Sequence, residues 1–354
     1  MFLELLRSET AAQPARMAAA LAGLRRYQEA ERAPPPAAMP AIAQVHGATL
    51  RDYGGRARDS PTAVFVPSLI NPPSVLDLGP DKSLLRWLAA QGVRPLLVDW
   101  GWDVEARRGL SVAGHVEQIL LPLLDALAGT PARAVRPALV GYPTLVGYPT
   151  LVGYCLGGTM AMAAAALRPV AGLALIAAPW RFSGFPDEAR ARLKRLWAGT
   201  KASADALGLL PMEVLQSAFW SLDPARTVAK FEAYGGMDPL SAQARRFVAL
   251  EDWANDGPPL TAPAARELFE TLFEGDATGR GDWRVGGASV RPEALTCPLL
   301  DIVSLSDRIV PAASACGAGA RIELAAGHVG MMVGSRAEAG LWRPLAQWLG
   351  GRGR

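Results

Sequence analysis

The side chains best placed to do chemistry are Cys155, Asp307 and His328, and the tightest local constraint surrounds the first of them. Gly153-Tyr154-Cys155-Leu156-Gly157-Gly158 sets a thiol between glycines two residues before and two after it. Where a strand turns sharply into a helix, a side chain at either flanking position would collide with the turn. Glycine there leaves the nucleophile exposed at the carboxyl end of the strand. The backbone N–H groups that open the helix point at the same spot, where they favour a thiolate and stabilise an oxyanion. Taken alone, the hexapeptide also fits a glycine turn around an inert buried cysteine.

Two later segments narrow that choice. Ser304-Leu-Ser-Asp307-Arg-Ile-Val-Pro311 sets an acid just after an apolar run, and Ala326-Gly327-His328-Val329-Gly330 follows the next short run. Nucleophile, acid and histidine in this chain order are the order of α/β-hydrolases, in which the histidine takes the nucleophile's proton and the acid fixes its tautomer. Asp301 is the rival acid, yet it lies inside an apolar strand. Asp99 in VDWG reads as a strand-end cap, Cys297 and Cys316 lack glycine turns and read as packing, and His46 and His115 lie in no motif. Three scattered cysteines and three histidines give no expectation of a disulfide framework or a metal site.

The elements that must position these groups alternate along the chain. Ala63 to Pro67 and Pro95 to Trp100 are apolar runs, separated by a helical pattern at Ser83 to Gln91. Val112 to Leu127 is helical in spacing, and Val170 to Ala178, Pro298 to Ser304 and Ile322 to Ala325 are further apolar runs. Short apolar runs alternating with helices predict an α/β fold: a mostly parallel sheet with helices on both faces. From 181 to 291 the alternation stops, and tryptophans and phenylalanines fall among charged helical stretches, which reads as a mainly helical cap. The expected division is therefore 1–44 (helical arm and proline-rich linker), 45–180 (first part of the core), 181–291 (cap) and 292–354 (second part of the core). Arg16, Arg25 and Arg26 make the arm basic, and a solvated arm is expected because Arg16 and Arg25 fall on opposite sides of one helix.

No charged residue falls between Pro137 and Leu167, but Pro143, Pro149, Gly153, Gly157 and Gly158 would break a spanning helix. A buried strand, tight turn and small-residue helix is the better reading. The same stretch holds LVGYPT at 139–144, again at 145–150, and then LVGYCL at 151–156. Proline cannot donate to a central ladder, so Leu151 to Tyr154 should be the strand. The earlier copies should lie in the preceding loop, or one of them should start the strand.

Half of the 354 residues are apolar and 19% are charged, which excludes a disordered or coiled-coil chain and fits one large domain or two smaller ones. A net charge of +3 is too mild for a nucleic-acid footprint. The first residues lack the pattern of a signal peptide, so a cytoplasmic location is expected.

GYCLGGTM around Cys155, VPSLINPPSVLDL at 66–78, DKSLLRWLAAQG at 81–92, LLVDWG at 96–101, SDRIVP at 306–311 and GHVGMMVGSRAEAGLWRPLAQWL at 327–349 carry a likeness. Over 45–350 the chain resembles polyhydroxyalkanoate synthases, above all the short catalytic subunit of the two-component type. The resemblance implies an α/β-hydrolase fold and an acyltransferase that polymerises (R)-3-hydroxyacyl-CoA and releases CoA. It makes Cys155 the acyl carrier, His328 the base and Asp307 its partner, with the backbone N–H groups of Ile70 and Leu156 as oxyanion donors. CoA thioester is substrate, not cofactor, and the growing polyester is the second ligand. A second synthase subunit or a homodimer is implied, as is a place at the polymer granule surface. Arg308 stands where many relatives carry histidine, the LVGYPT copies are foreign to the pattern, and 181–290 matches loosely. A cysteine-dependent hydrolase of the same fold, a polyester depolymerase or thioesterase, is the alternative, and a non-catalytic granule protein the third reading.

Overall fold

The computed structural model describes residues 2–55, 60–128 and 147–351. Among these, eight strands form one sheet: β1 (Ala41–Val45), β2 (Ala48–Asp52), β3 (Thr62–Val66), β4 (Arg94–Asp99), β5 (Thr150–Tyr154), β6 (Gly172–Ile176), β7 (Leu299–Ser304) and β8 (Ala320–Leu324). Their order across the sheet is β1-β2-β4-β3-β5-β6-β7-β8. The β1–β2 and β2–β4 pairs are antiparallel, and the remaining pairs are parallel. This is the mostly parallel sheet that the alternation of apolar runs and helices predicts. All residues of β5, β6 and β7 are buried, because helices cover both faces, and that double burial is why they read as nearly unbroken apolar runs. On one face α3 (Leu84–Ala90) and the C-terminal helical turns around Leu341 and Leu345 pack against the sheet. On the other lie α4 (Leu156–Leu167) and the helical stretch from Val112.

β1 begins at Ala41, ahead of the 45 boundary drawn from the sequence, because His46 and Gly47 form a two-residue hairpin turn, both at positive φ. From residue 147 on, the uncharged stretch becomes a turn, β5 and α4. No described helix is long and apolar enough to cross a membrane. Thr150, the last residue of the second LVGYPT copy, opens β5. Pro149 adds only its carbonyl to the ladder, accepting from Ala171 N–H at 3.0 Å. The copy at 139–144 lies outside the described residues.

Residues 181–291 contain α5 (Asp187–Leu207), α6 (Met212–Trp220), α7 (Pro224–Gly235) and α8 (Ala242–Ala254). Their aromatic side chains form the interior: Trp197 stacks on Phe269 at 5.2 Å, and Phe273 meets Phe182 edge-on. The N-terminal helices, α1 (Phe2–Thr10) and α2 (Pro14–Glu29), do not stand in solvent as the arginine phasing suggested. They pack on α7. Phe2 meets Trp220 and Phe231 edge-on, Arg16 pairs with Glu232, and Arg26 donates to the carbonyls of Gly235 (2.7 Å) and Met237. The helices cross so closely that a Cβ on Gly23 would lie 1.9 Å from the Phe231 carbonyl oxygen. Helical phase alone could not reveal this, because Arg16 and Arg26 both reach polar groups of α7 and its C-terminal end.

Candidate active site

Cys155 sits between β5 and α4 at φ 55°, a conformation that costs a non-glycine residue about 1–3 kcal/mol and persists only where its surroundings enforce it. Its N–H is held by the Ile176 carbonyl at 3.0 Å. The flanking glycines are required by contact. A Cβ on Gly153 would fall 2.3 Å from Gly158 Cα, and one on Gly157 would fall 2.1 Å from the Val66 carbonyl oxygen. The first turn of α4 is therefore pressed against the end of β3, and the loop that follows β3 comes beside Cys155.

Asp307 lies just beyond β7. Its Oδ1 accepts from the N–H groups of Ile309 (2.8 Å) and Val310 (3.0 Å), and its Oδ2 faces His328 Nδ1 at 2.7 Å. Both side chains are buried. With Nδ1 bound to the carboxylate, Nε2 is the nitrogen left for proton exchange. Burial pushes the His328 pKa down, but the charges of Cys155 and Asp307 outweigh it and raise the pKa to about 10. Ser304 ties the end of β7 to the loop before His328: its hydroxyl donates to the Ala326 carbonyl and accepts from the Ala326 N–H at 3.3 Å.

Tyr154 was not singled out in the sequence, yet its ring stacks on the imidazole of His328 at 4.9 Å and its hydroxyl donates to the His328 carbonyl at 3.2 Å. A tyrosine in a buried strand gives no sign of this, because its partner is 174 residues away. Of the two expected oxyanion donors, Leu156 N–H opens α4, where no carbonyl precedes it in the helix. Ile70 N–H is engaged by Ser68 Oγ at 3.2 Å and must leave it to reach an oxyanion. Trp100 Nε1 braces the same loop through the Pro67 carbonyl at 3.1 Å.

The other candidates are accounted for. Asp301 is buried in β7, where burial raises its pKa and Cys316 Sγ donates to Oδ2 at 3.4 Å. Burial and Asp301 push the Cys316 thiol up to about 12, and burial also raises Cys297. Asp99 pairs with Arg51 at 2.7 Å and accepts from Gly101 N–H at 3.1 Å, the strand-end cap expected. His115 is buried against Trp100, with its pKa lowered to about 4 by burial. Arg308 pairs with Asp223, the residue that caps α7, and so ties the loop of the acid to 181–291.

Two cavities share Cys155 and Ile70 in their walls. The larger, about 560 Å³, runs from Cys155, Leu156 and Ile70 between Phe185, Leu196 and Phe273. The smaller, about 180 Å³, is lined by Cys155, Tyr154, Ser68 and His328 and by Gln216 and Lys230. A wider cleft of about 650 Å³ between Arg108, Asp205 and Arg266 shares no residue with either, and Arg266 and Asp205 pair with each other across it.

Residues 144–327 match the family described as alpha/beta hydrolase fold. The chain is similar to the poly(3-hydroxyalkanoate) polymerase subunit PhaC of Haloferax mediterranei, 28% identical over 305 residues, or 82% of this chain and 58% of that one. It is 26% identical to the PhaC subunit of Allochromatium vinosum over 316 residues, 84% of each chain. Thus the chain spans 58% of the length of the Haloferax protein. Among solved structures it is similar to a monoacylglycerol lipase of Paleococcus ferrophilus, with 16% identity, a TM-score of 0.49 and coverage of 86% and 99% of the two chains.

Proposed function

The chain belongs to the alpha/beta hydrolase fold family, and from that premise we propose that it is an acyltransferase that polymerises (R)-3-hydroxyacyl-CoA into polyester through Cys155, His328 and Asp307. The observation that carries the reading is the buried His328–Asp307 pair, 2.7 Å apart, beside a cysteine held at φ 55°. The likeness to PhaC subunits supplies the substrate class.

In the proposed cycle, the sulfur of Cys155 attacks the thioester carbonyl as a thiolate, its proton already held by His328. The oxyanion is held by Leu156 N–H, joined by Ile70 N–H once Ser68 releases it. His328 returns the proton to the departing CoA thiolate, which leaves the acyl group on Cys155. Thioester replaces thioester, so the acyl group stays activated. His328 then takes the proton of the 3-hydroxyl of another unit; that oxygen attacks, an ester forms and the Cys155 thiolate leaves. Asp307 holds the imidazolium through each transfer. Excluding water decides between elongation and hydrolysis, and the aromatic chamber beneath 181–291 suits that task. The proposal extends to a cap at 181–291, a partner in the form of a second synthase subunit or a second copy, and a place at the granule surface in the cytoplasm.

Purified protein incubated with (R)-3-hydroxybutyryl-CoA, alone and with a co-expressed second subunit, should release thiol and form chloroform-soluble polymer. Cys155→Ala should abolish both. Thiol release with only free hydroxy acid would make the protein a hydrolase. Silence in every arm would sink the catalytic reading.

A further inference from the structure

Gln216, on α6, is only 6% exposed, and its side-chain amide makes no hydrogen bond among the described residues. It lines the smaller cavity, the one that also holds His328 and Cys155. Lining that cavity with no protein partner, the amide is free to pair with a group of a ligand. The cavity's cation does not change its sign: Lys230 is paired with Glu251 at 2.6 Å, and Glu251 is itself buried. A neutral site of about 180 Å³ suits neither a phosphate nor a nucleotide. It suits a narrow arm bearing an amide, to which the glutamine offers a donor and an acceptor side by side.

Its place relative to the chemistry agrees. His328 lines this cavity, whereas the acyl-sized apolar chamber is lined by Asp307, Leu156 and the phenylalanines. The group that receives a proton from His328 therefore lies on the Gln216 side. We propose that the smaller cavity holds the amide-bearing thiol arm of the acyl donor and that Gln216 reads that amide. This rests on the thioester chemistry proposed above and adds how the carrier is recognised.

The test compares 3-hydroxybutyryl thioesters of N-acetylcysteamine, which keeps one amide, and of propanethiol, which has none. The unsubstituted protein should favour the first by roughly tenfold in kcat/KM, the worth of one hydrogen bond, and Gln216→Leu should bring the ratio towards one. Gln216→Met serves the same purpose if the leucine variant does not fold. A second readout needs no turnover: the S-methyl thioether of N-acetylcysteamine should slow alkylation of Cys155 by iodoacetamide, read at that residue by mass spectrometry. Methyl propyl sulfide should not. Equal protection by both thioethers, or an unchanged ratio in both Gln216 variants, overturns the assignment. If neither thioester turns over, protection by the amide thioether alone decides what the cavity binds, while the acyltransferase reading stands or falls on the CoA thioester assay above.

Discussion

At the scale of single residues, His328 carries the sharpest expectation. Its pKa is raised to about 10, above the value of an unfolded histidine, so the stability it contributes is complete below about pH 6.5 and fades as pH climbs through 10. The chain has three histidines, so imidazole NMR is readily assigned. His328 should stay protonated past pH 9, and in Cys155→Ala its midpoint should fall, because one of the two charges that hold the proton is gone. A midpoint near 6.5 in the unsubstituted protein would contradict this account of the site. Tyr154→Phe keeps the ring on His328 but loses the bond to its carbonyl. It should lower activity less than Tyr154→Ala, compared as kcat on the same thioester. Cys155, Asp307 and His328 could be singled out in the sequence as candidates because glycine spacing and chain order are local signals. Tyr154 and Gln216 were not, since each acquires its meaning from a neighbour that only the fold supplies.

At the scale of elements, the glycine turn and the sheet were readable for a common reason: each strand's burial on two faces, and each glycine's close contact, leaves a mark on residue type. Gly157→Ala tests the second of these. With a Cβ 2.1 Å from the Val66 oxygen, the turn must open, at a cost of about 1–3 kcal/mol in chemical denaturation and with loss of acyl transfer. Arg308→Ala should behave differently. That arginine is two-thirds exposed, so the pair with Asp223 should contribute no more than about 1 kcal/mol in the same measurement. The start of β1 and the docking of the N-terminal helices escaped the sequence. A hairpin turn made of His46 and Gly47 is a weak signal, and helix–helix contact through Gly23 depends on a partner more than 200 residues away.

At the scale of the whole molecule, the hexapeptide repeat makes a clean prediction. Removing 139–144 leaves an identical LVGYPT before Leu151, so Thr150 still opens β5. The shortened chain should unfold within a few degrees of the full one by calorimetry, and a collapse of the transition would show that the extra copy is needed.

The contact between α2 and α7 has a consequence for how little of this chain can be discarded. A protein begun at Met39 would keep all eight strands, the thiol, the acid and the imidazole. It would also strip the cover from Val228, Phe231 and Tyr234, all buried on α7, the helix that carries Lys230. Such a shortened enzyme would present a bare greasy stripe to water next to its own reaction chamber, and it should seek company: light scattering should find it in clusters at concentrations where the longer chain stays dispersed.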